Sequence, residues 1–281
     1  MKNVLEFVTW GLSHVKKKTV PSNAILPIDR SLVGAAGEWE YLFGTTGKTV
    51  TQSLLDRKFK DYYKKNGWSR TAYDKTTTGW VSAKKTVCDC QGVEDFFSKA
   101  DTNANGNYVR YCTDKGLCSA INRPWVLGEA VFNGSNSKKT HVGWVCGFLP
   151  DGSPLFMHER GIKYGFVVTT LKQFNWKYRG LMTKRYTYEA TDTIRPEVKP
   201  STFVFTRQLK YGCKGDDVVE LKKALIKEGY GKGLTVDTSS SKNFYGSTRT
   251  AVKNYQRNNG LKVDGVAGPY TYKALGLKYN L

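Results

Sequence analysis

All seven tryptophans of this 281-residue chain lie before residue 180, and the last eighty residues contain none. Between the two regions runs YEATDTIRPEVKPST, where Thr, Pro and alternating charge leave too little apolar surface to join a core. Such a break calls for two separate hydrophobic cores. It divides the chain into residues 1–186, a linker at 187–202 and a smaller part at 203–281.

Apolar residues make up 40% of the sequence and aromatic ones 13%, with only 8 prolines, so a disordered or collagen-like polymer is excluded. The formal charge is +20, with +12 before Phe205 and +8 from there on, so neither part is an isolated basic tail. A charge of that size fits an anionic partner: nucleic acid, an anionic membrane or the bacterial wall. No zinc-finger, basic-zipper or RNA-platform motif appears, and nucleic acid is not expected. No apolar run approaches the roughly 20 residues of a membrane span. The opening MKNVLEFVTWGLSHVKKK carries Glu6 inside its apolar stretch and has no small-residue cleavage site, so it reads as an amphipathic helix and not a signal peptide. Six unevenly spaced cysteines, Cys88, Cys90, Cys112, Cys118, Cys146 and Cys213, do not make a disulfide framework, and reduced thiols are expected. The Cys88/Cys90 pair has no second pair at zinc spacing, so neither a metal nor another cofactor is expected.

In the C-terminal part, DDVVELKKALIKEGY spaces Val218, Leu221 and Leu225 as one helical face, stopped at Gly229. A second helix is predicted over about 247–258, with Val252 and Tyr255 on one stripe, and a short third from Pro269 to Leu275. GLTVD at 233–237 and GLKVD at 260–264 form a faint internal repeat. This segment resembles the type 1 peptidoglycan-binding domain, through Asp264, Gly265, Gly268, Thr271 and Leu275 and, in the middle helix, Gly246, Ala251, Val252, Tyr255 and Gln256. The resemblance covers roughly residues 207–277, with DTSSSKN as an added polar loop. It implies a small three-helix module that binds the wall.

In the N-terminal part, a helix, a long irregular stretch rich in Gly, Lys and Tyr, a second helix and then strands are expected. CQGVEDFFSKA places Val93, Phe96, Phe97 and Ala100 on one helical face, so Cys90 would begin a buried helix. Unpaired N–H groups and the helix dipole at that position favour a thiolate. Downstream, THVGWVCGFLPDGSPLFMHERG reads as a β-hairpin turning at Asp151-Gly152. His141, Gly143 and Val145 face one way on its first strand, and the small residues beside His141 leave room for a substrate. A two-residue turn would set His158 opposite Val145, on the same face but on the order of 13 Å from His141, so a longer loop or a bulge is needed to bring the two together. The chain has only three histidines, His14 being the other. A thiolate, an imidazole and an orienting group are what Cys–His catalysis requires. The residues alone leave a structural reading, a buried Cys and a strand His, equally open.

DCQGVEDFF at 89–97 resembles the DCSG helix start of the NlpC-type papain-like peptidases, HVGWVCG at 141–147 their HVGIYLG strand, and FMHERG the strand that follows. EYLFGTTG at 40–47 is similar to their YVWGT.G segment, and ANGNYVRYC and KYGFVVTTL to connecting stretches of phage-type members. The match runs through roughly residues 1–185. It implies an α+β, papain-like domain with a helix packed on an antiparallel sheet, Cys90 as nucleophile, His141 as general base and acid, and His158 as orienting partner. It also implies Tyr41 near the reacting carbonyl and Asp89 holding the stem-peptide amine. Gln91, among the substrate contacts, stands where Ser is usual, and the interval from His141 to His158 is longer than usual.

Together these readings predict a monomeric peptidoglycan hydrolase of the phage endolysin type, acting on peptidoglycan and drawn also to anionic wall polymers. The expected bond is γ-D-glutamyl to a diamino acid, with N–H groups at the helix start holding the oxyanion. Storage in the host cytoplasm until lysis is the expected location. An amidase cutting between muramic acid and L-Ala, a non-catalytic wall-binding protein and a nucleic-acid binder are the rival expectations.

Overall fold

The computed structural model describes residues 1–121, 123–188, 203–231, 233–236 and 239–280. The fold is mixed α+β, with a six-stranded antiparallel sheet in the N-terminal part and a helical C-terminal part. Each has its own apolar core, and among the described residues no core cluster contains residues of both.

The sheet consists of β1 (Thr113–Leu117), β2 (Ala130–Gly134), β3 (Lys139–Phe148), β4 (Pro154–Glu159), β5 (Phe166–Thr170) and β6 (Tyr178–Leu181), in the order β1-β6-β2-β3-β4-β5. Helix α1 (Val4–Leu12) packs on it. Asn3 caps its start by accepting from Leu5 N, and the Glu6 side chain returns to Asn3 N, so the carboxylate that interrupts the apolar stretch completes a capping box. Val4, Phe7, Val8 and Leu12 are fully buried against the sheet. Gly11 is small by necessity: a Cβ there would meet Met157 Sδ at 2.7 Å.

The predicted hairpin forms between β3 and β4, turning through Gly152 at φ +81° with Ser153 N bonded to Asp151 Oδ1. Two departures reset its register. The loop holds five residues, 149–153, and the pairing slips once more between Val145 and Gly147, where Cys146 bulges. Each one-residue slip alone would turn His158 to the other face, whereas together they keep the face and move it two positions toward His141.

The stretch at 48–85, expected to be irregular, is largely helical. Helix α2 (Gln52–Lys58) continues as a widened turn through Phe59–Tyr63, and α3 (Arg70–Thr77) follows. The local signals were the caps, Thr51 accepting from Leu54 N and Ser69 from Ala72 N. Apolar side chains of this region close a small core of Leu42, Val50, Leu55, Tyr63, Tyr73, Trp80, Val87 and Ile162. Beside it Glu40–Tyr41, Thr86–Cys88 and Lys48–Thr49 form a three-stranded sheet that leads the chain into Asp89 and Cys90. Helix α4 (Gly92–Ser98) follows.

Most of the linker lies outside the described residues. Thr187 still belongs to the N-terminal part, because Tyr186–Thr187 pairs in parallel with Lys2–Asn3. The C-terminal part contains α5 (Asp216–Lys227), α6 (Gly246–Asn258) and α7 (Pro269–Ala274), close to the predicted bounds, with Val218, Leu221, Leu225 and Val252 fully buried. Gln256 ties this core together: its Nε2 donates to Asp264 Oδ1 and Val266 O, and its Oε1 accepts from Gly265 N. Among the described residues no helix is long and apolar enough to cross a membrane.

Candidate active site

Cys90 follows the strand Thr86–Cys88 and precedes α4 by two residues, with Gln91 as the N-cap. It does not begin the helix. Cys90 is partly exposed, and its thiol lies close to the backbone N–H of Gln91 and of Val142, the residue after His141. The donors expected to stabilise a thiolate are shared with a competitor, since Asp89 Oδ1 accepts from Gln91 N at 3.0 Å and from Gly92 N at 2.8 Å. Burial, with the Asp89 carboxyl added, outweighs the two N–H contacts, and the thiol is pushed up to about 12. Cys90 is therefore a thiol at neutral pH. This raised thiol pKa runs against the expected resting thiolate, and of the helix-start N–H groups those of Gln91 and Gly92 are bonded to Asp89.

His141 Nε2 lies 2.9 Å from His158 Nδ1, and His158 Nε2 lies 3.2 Å from Thr169 Oγ1. His158 and Thr169 are buried on β4 and β5, while His141 is partly exposed. Burial lowers His141 to about 4 and holds His158 well below the ordinary imidazole value, His141 and Arg160 adding to the latter. Both rings are neutral at pH 7. Two proton arrangements satisfy the chain: either each imidazole donates toward Thr169, or the order is reversed.

Aromatic rings enclose the pair. Trp176 stacks parallel to His141 at 5.4 Å between centroids, and Phe174 lies 4.5 Å from His158. The room expected beside His141 is filled, because a Cβ on Gly143 would meet Trp176 at 2.8 Å and His158 Cβ at 3.0 Å. Gly143 makes space for these rings, and not for a substrate.

Tyr41 pairs in register with Cys88 and is half-buried. Burial, together with Cys90, Tyr63 and Asp89 nearby, raises its hydroxyl pKa, which places Tyr41 beside the cysteine. Asp89 Oδ2 accepts from Gly44 N at 3.0 Å, so three backbone donors hold this carboxylate. Burial nevertheless raises its pKa. Gln91 corrects the expectation of a substrate contact. It is 5% exposed, and its amide donates to Glu94 and Asp95 and accepts from Asn107 Nδ2. Glu94 in turn binds Arg185 Nη1 and Tyr186 Oη, so Gln91 belongs to an inward polar network.

The structure thus brings Tyr41, Asp89 and Cys90 to one place and His141 and His158 to another, with Val142, next to His141, close to Cys90. Sequence reasoning missed Thr169, Phe174 and Trp176, for which FNW at 174–176 was the only visible sign. It also missed Glu159, fully buried with Cys88 Sγ 3.2 Å from its Oε1 and with no hydrogen bond to its Oε2. None of the six cysteines forms a disulfide. Among the described residues no group of three or more His, Cys, Asp or Glu is arranged to hold a metal ion.

No curated protein matches the chain. Among solved structures it is similar to a periplasmic domain of the EpsAB fusion protein of the Vibrio vulnificus type II secretion system, at 15% identity over 55% of this chain and 56% of that one. The TM-score is 0.22, too low to bear on the fold, and the match spans little over half of that chain. Residues 214–275 match the family model described as "Putative peptidoglycan binding domain", so peptidoglycan binding is the property that comparison supports, and it resides in the C-terminal part.

Proposed function

We propose that this protein is a peptidoglycan hydrolase of the phage endolysin type, with an NlpC-type, papain-like cysteine peptidase in its N-terminal part and a wall-binding C-terminal module. The observation that carries the reading is the hydrogen-bonded chain His141–His158–Thr169, set on a sheet whose Val142, next to His141, lies close to Cys90. The family match at 214–275 supports the wall as the place of action.

The functional proton arrangement has His141 Nε2–H donating to His158 Nδ1 and His158 Nε2–H donating to Thr169 Oγ1, which leaves His141 Nδ1 free to accept. As Cys90 Sγ bonds to the amide carbonyl carbon, the thiol proton passes to His141. The C–N bond then breaks and His141 gives that proton to the leaving amine. Water, deprotonated by His141, attacks the thioester, releases the carboxylic acid and restores the thiol. A neutral third residue stabilises imidazolium less than a carboxylate would, so the mechanism is general-base attack by a thiol and not a resting ion pair.

The bond we propose is γ-D-glutamyl to a diamino acid, and the setting is the host cytoplasm until lysis and the wall afterwards. Mass spectrometry of digested walls tests this. A new amine on the diamino acid is the expected product, whereas a new amine on L-Ala would make the protein an amidase. The high thiol pKa favours one other reading, a non-catalytic wall binder. Cys90→Ala separates the two: lysis of purified walls at the parent's rate would end the enzyme proposal.

A further inference from the structure

Lys58, the last residue of α2, reaches back to the segment beside Cys90. Its Nζ donates to Gly44 O at 2.7 Å, while Gly44 N donates to Asp89 Oδ2 at 3.0 Å. The two ends of one residue therefore hold an ammonium and the carboxylate of Asp89, the residue before Cys90. Gly44, at φ +65°, permits this approach, since a Cβ there would lie 2.9 Å from Nζ.

The ammonium is half-buried and makes no salt bridge among the described residues, Asp89 and Asp61 acting on it only from a distance, and it has donors beyond the one bonded to Gly44. Partly desolvating a cation that has no anion in direct contact is costly, and an incoming anion at contact distance offsets that cost. Phe43 and Tyr62 stack alongside, with centroids 3.8 Å apart, planes 9° apart and Phe43 40% exposed, and they supply a flat apolar wall. Across Gly44 there is thus a cation with no carboxylate in direct contact and, before Cys90, a carboxylate whose Oδ2 accepts a single N–H.

We propose that Lys58 binds a carboxylate on the acyl side of the scissile amide, and so selects stem peptides whose D-glutamate keeps its α-carboxylate free over those in which it is amidated. In a γ-linked glutamate that carboxylate belongs to the same residue as the reacting carbonyl, and a cation one residue away from Asp89 can reach it while Cys90 attacks. The inference rests on the hydrolase reading above.

The test uses the full chain and two synthetic stem peptides that differ only in a carboxylate or a carboxamide at the D-glutamate α position. The parent should favour the carboxylate peptide about tenfold in kcat/KM, mainly through KM, as a charge-assisted contact would give. Lys58→Met should abolish the preference and Lys58→Arg should keep it. Equal losses on both peptides in Lys58→Met would mean that Lys58 only supports the Gly44 backbone, and an unchanged preference would remove it from recognition; either result overturns the inference alone. Cleavage of neither peptide by the parent would overturn the hydrolase reading, and the inference with it.

Discussion

His158 Nδ1 reaches His141 Nε2 at 2.9 Å because two one-residue register slips add up in the β3–β4 hairpin. The five-residue loop supplies one slip and the bulge at Cys146 the other. A slip of one would bury His158 on the wrong face, and no slip would leave it too far along the strand.

Gly143 is the point where that arrangement is least tolerant. In Gly143→Ala the new methyl would lie 2.8 Å from Trp176 and 3.0 Å from His158 Cβ, and neither a packed indole nor a strand Cβ can yield easily. We expect a loss of about 1–3 kcal/mol of stability and slower wall lysis. Chemical denaturation and turbidity assays would measure the two, and an unchanged protein would show that the shell of rings is looser than the structure indicates.

The low pKa of His141 has consequences for both rate and stability. In the proposed mechanism His141 must be unprotonated, so the acid limb of lysis should fall near pH 4 and not near 6.5. The unfolded chain protonates this imidazole below about 6.5 and the folded one only below about 4, so stability rises with pH across that window and is lost as pH falls through it. The contribution is about 3 kcal/mol when complete. Buried carboxyls with raised pKa values slope the opposite way, so the comparison to make is the parent against His141→Gln. The variant's midpoint should fall less steeply between pH 7 and pH 4.

Glu159 makes the opposite case. Burial, reinforced by Glu40, raises its carboxyl pKa well above the usual value. Its folded pKa exceeds its unfolded one, so its contribution is present below about 4.5 and lost as pH rises through the folded pKa. Glu159→Gln keeps an acceptor for Cys88 and removes the titration. Thermal melts should show the variant gaining on the parent at pH 8 by on the order of 1–3 kcal/mol, with little difference at pH 4. A variant less stable at both pH values would refute the assignment.

Gln256 offers a test of the C-terminal part that leaves the candidate active site untouched. It is 2% exposed and bonds Asp264, Gly265 and Val266 across the α6–α7 connection. Gln256→Leu removes these bonds and leaves buried Gly265 N unpaired, at a cost of about 2–4 kcal/mol. Retention on purified walls at high salt, where the +20 charge no longer substitutes for specific binding, should drop. Hydrolysis of a soluble stem peptide should persist.

Much of this was readable from residues 88–97, 141–158 and 216–275. Helical spacing in α5 and α6, the glycine-punctuated loops and the Asp151-Gly152 turn are local signals, encoded within a few residues of where they act. The expectation that Cys90, His141 and His158 act as one group came through a resemblance rather than through spacing, and the structure shows its His141–His158 contact. What the sequence could not reveal depends on summed long-range geometry. The bulge at Cys146 is a compromise between strand pairing and two faces that are both buried. Thr169 and Trp176 join the site only because β5 and the segment before β6 happen to close over it. The protonation of Cys90 is decided the same way: helix-start donors favour a thiolate locally, but burial and the Asp89 carboxyl, both set by tertiary packing, outweigh them.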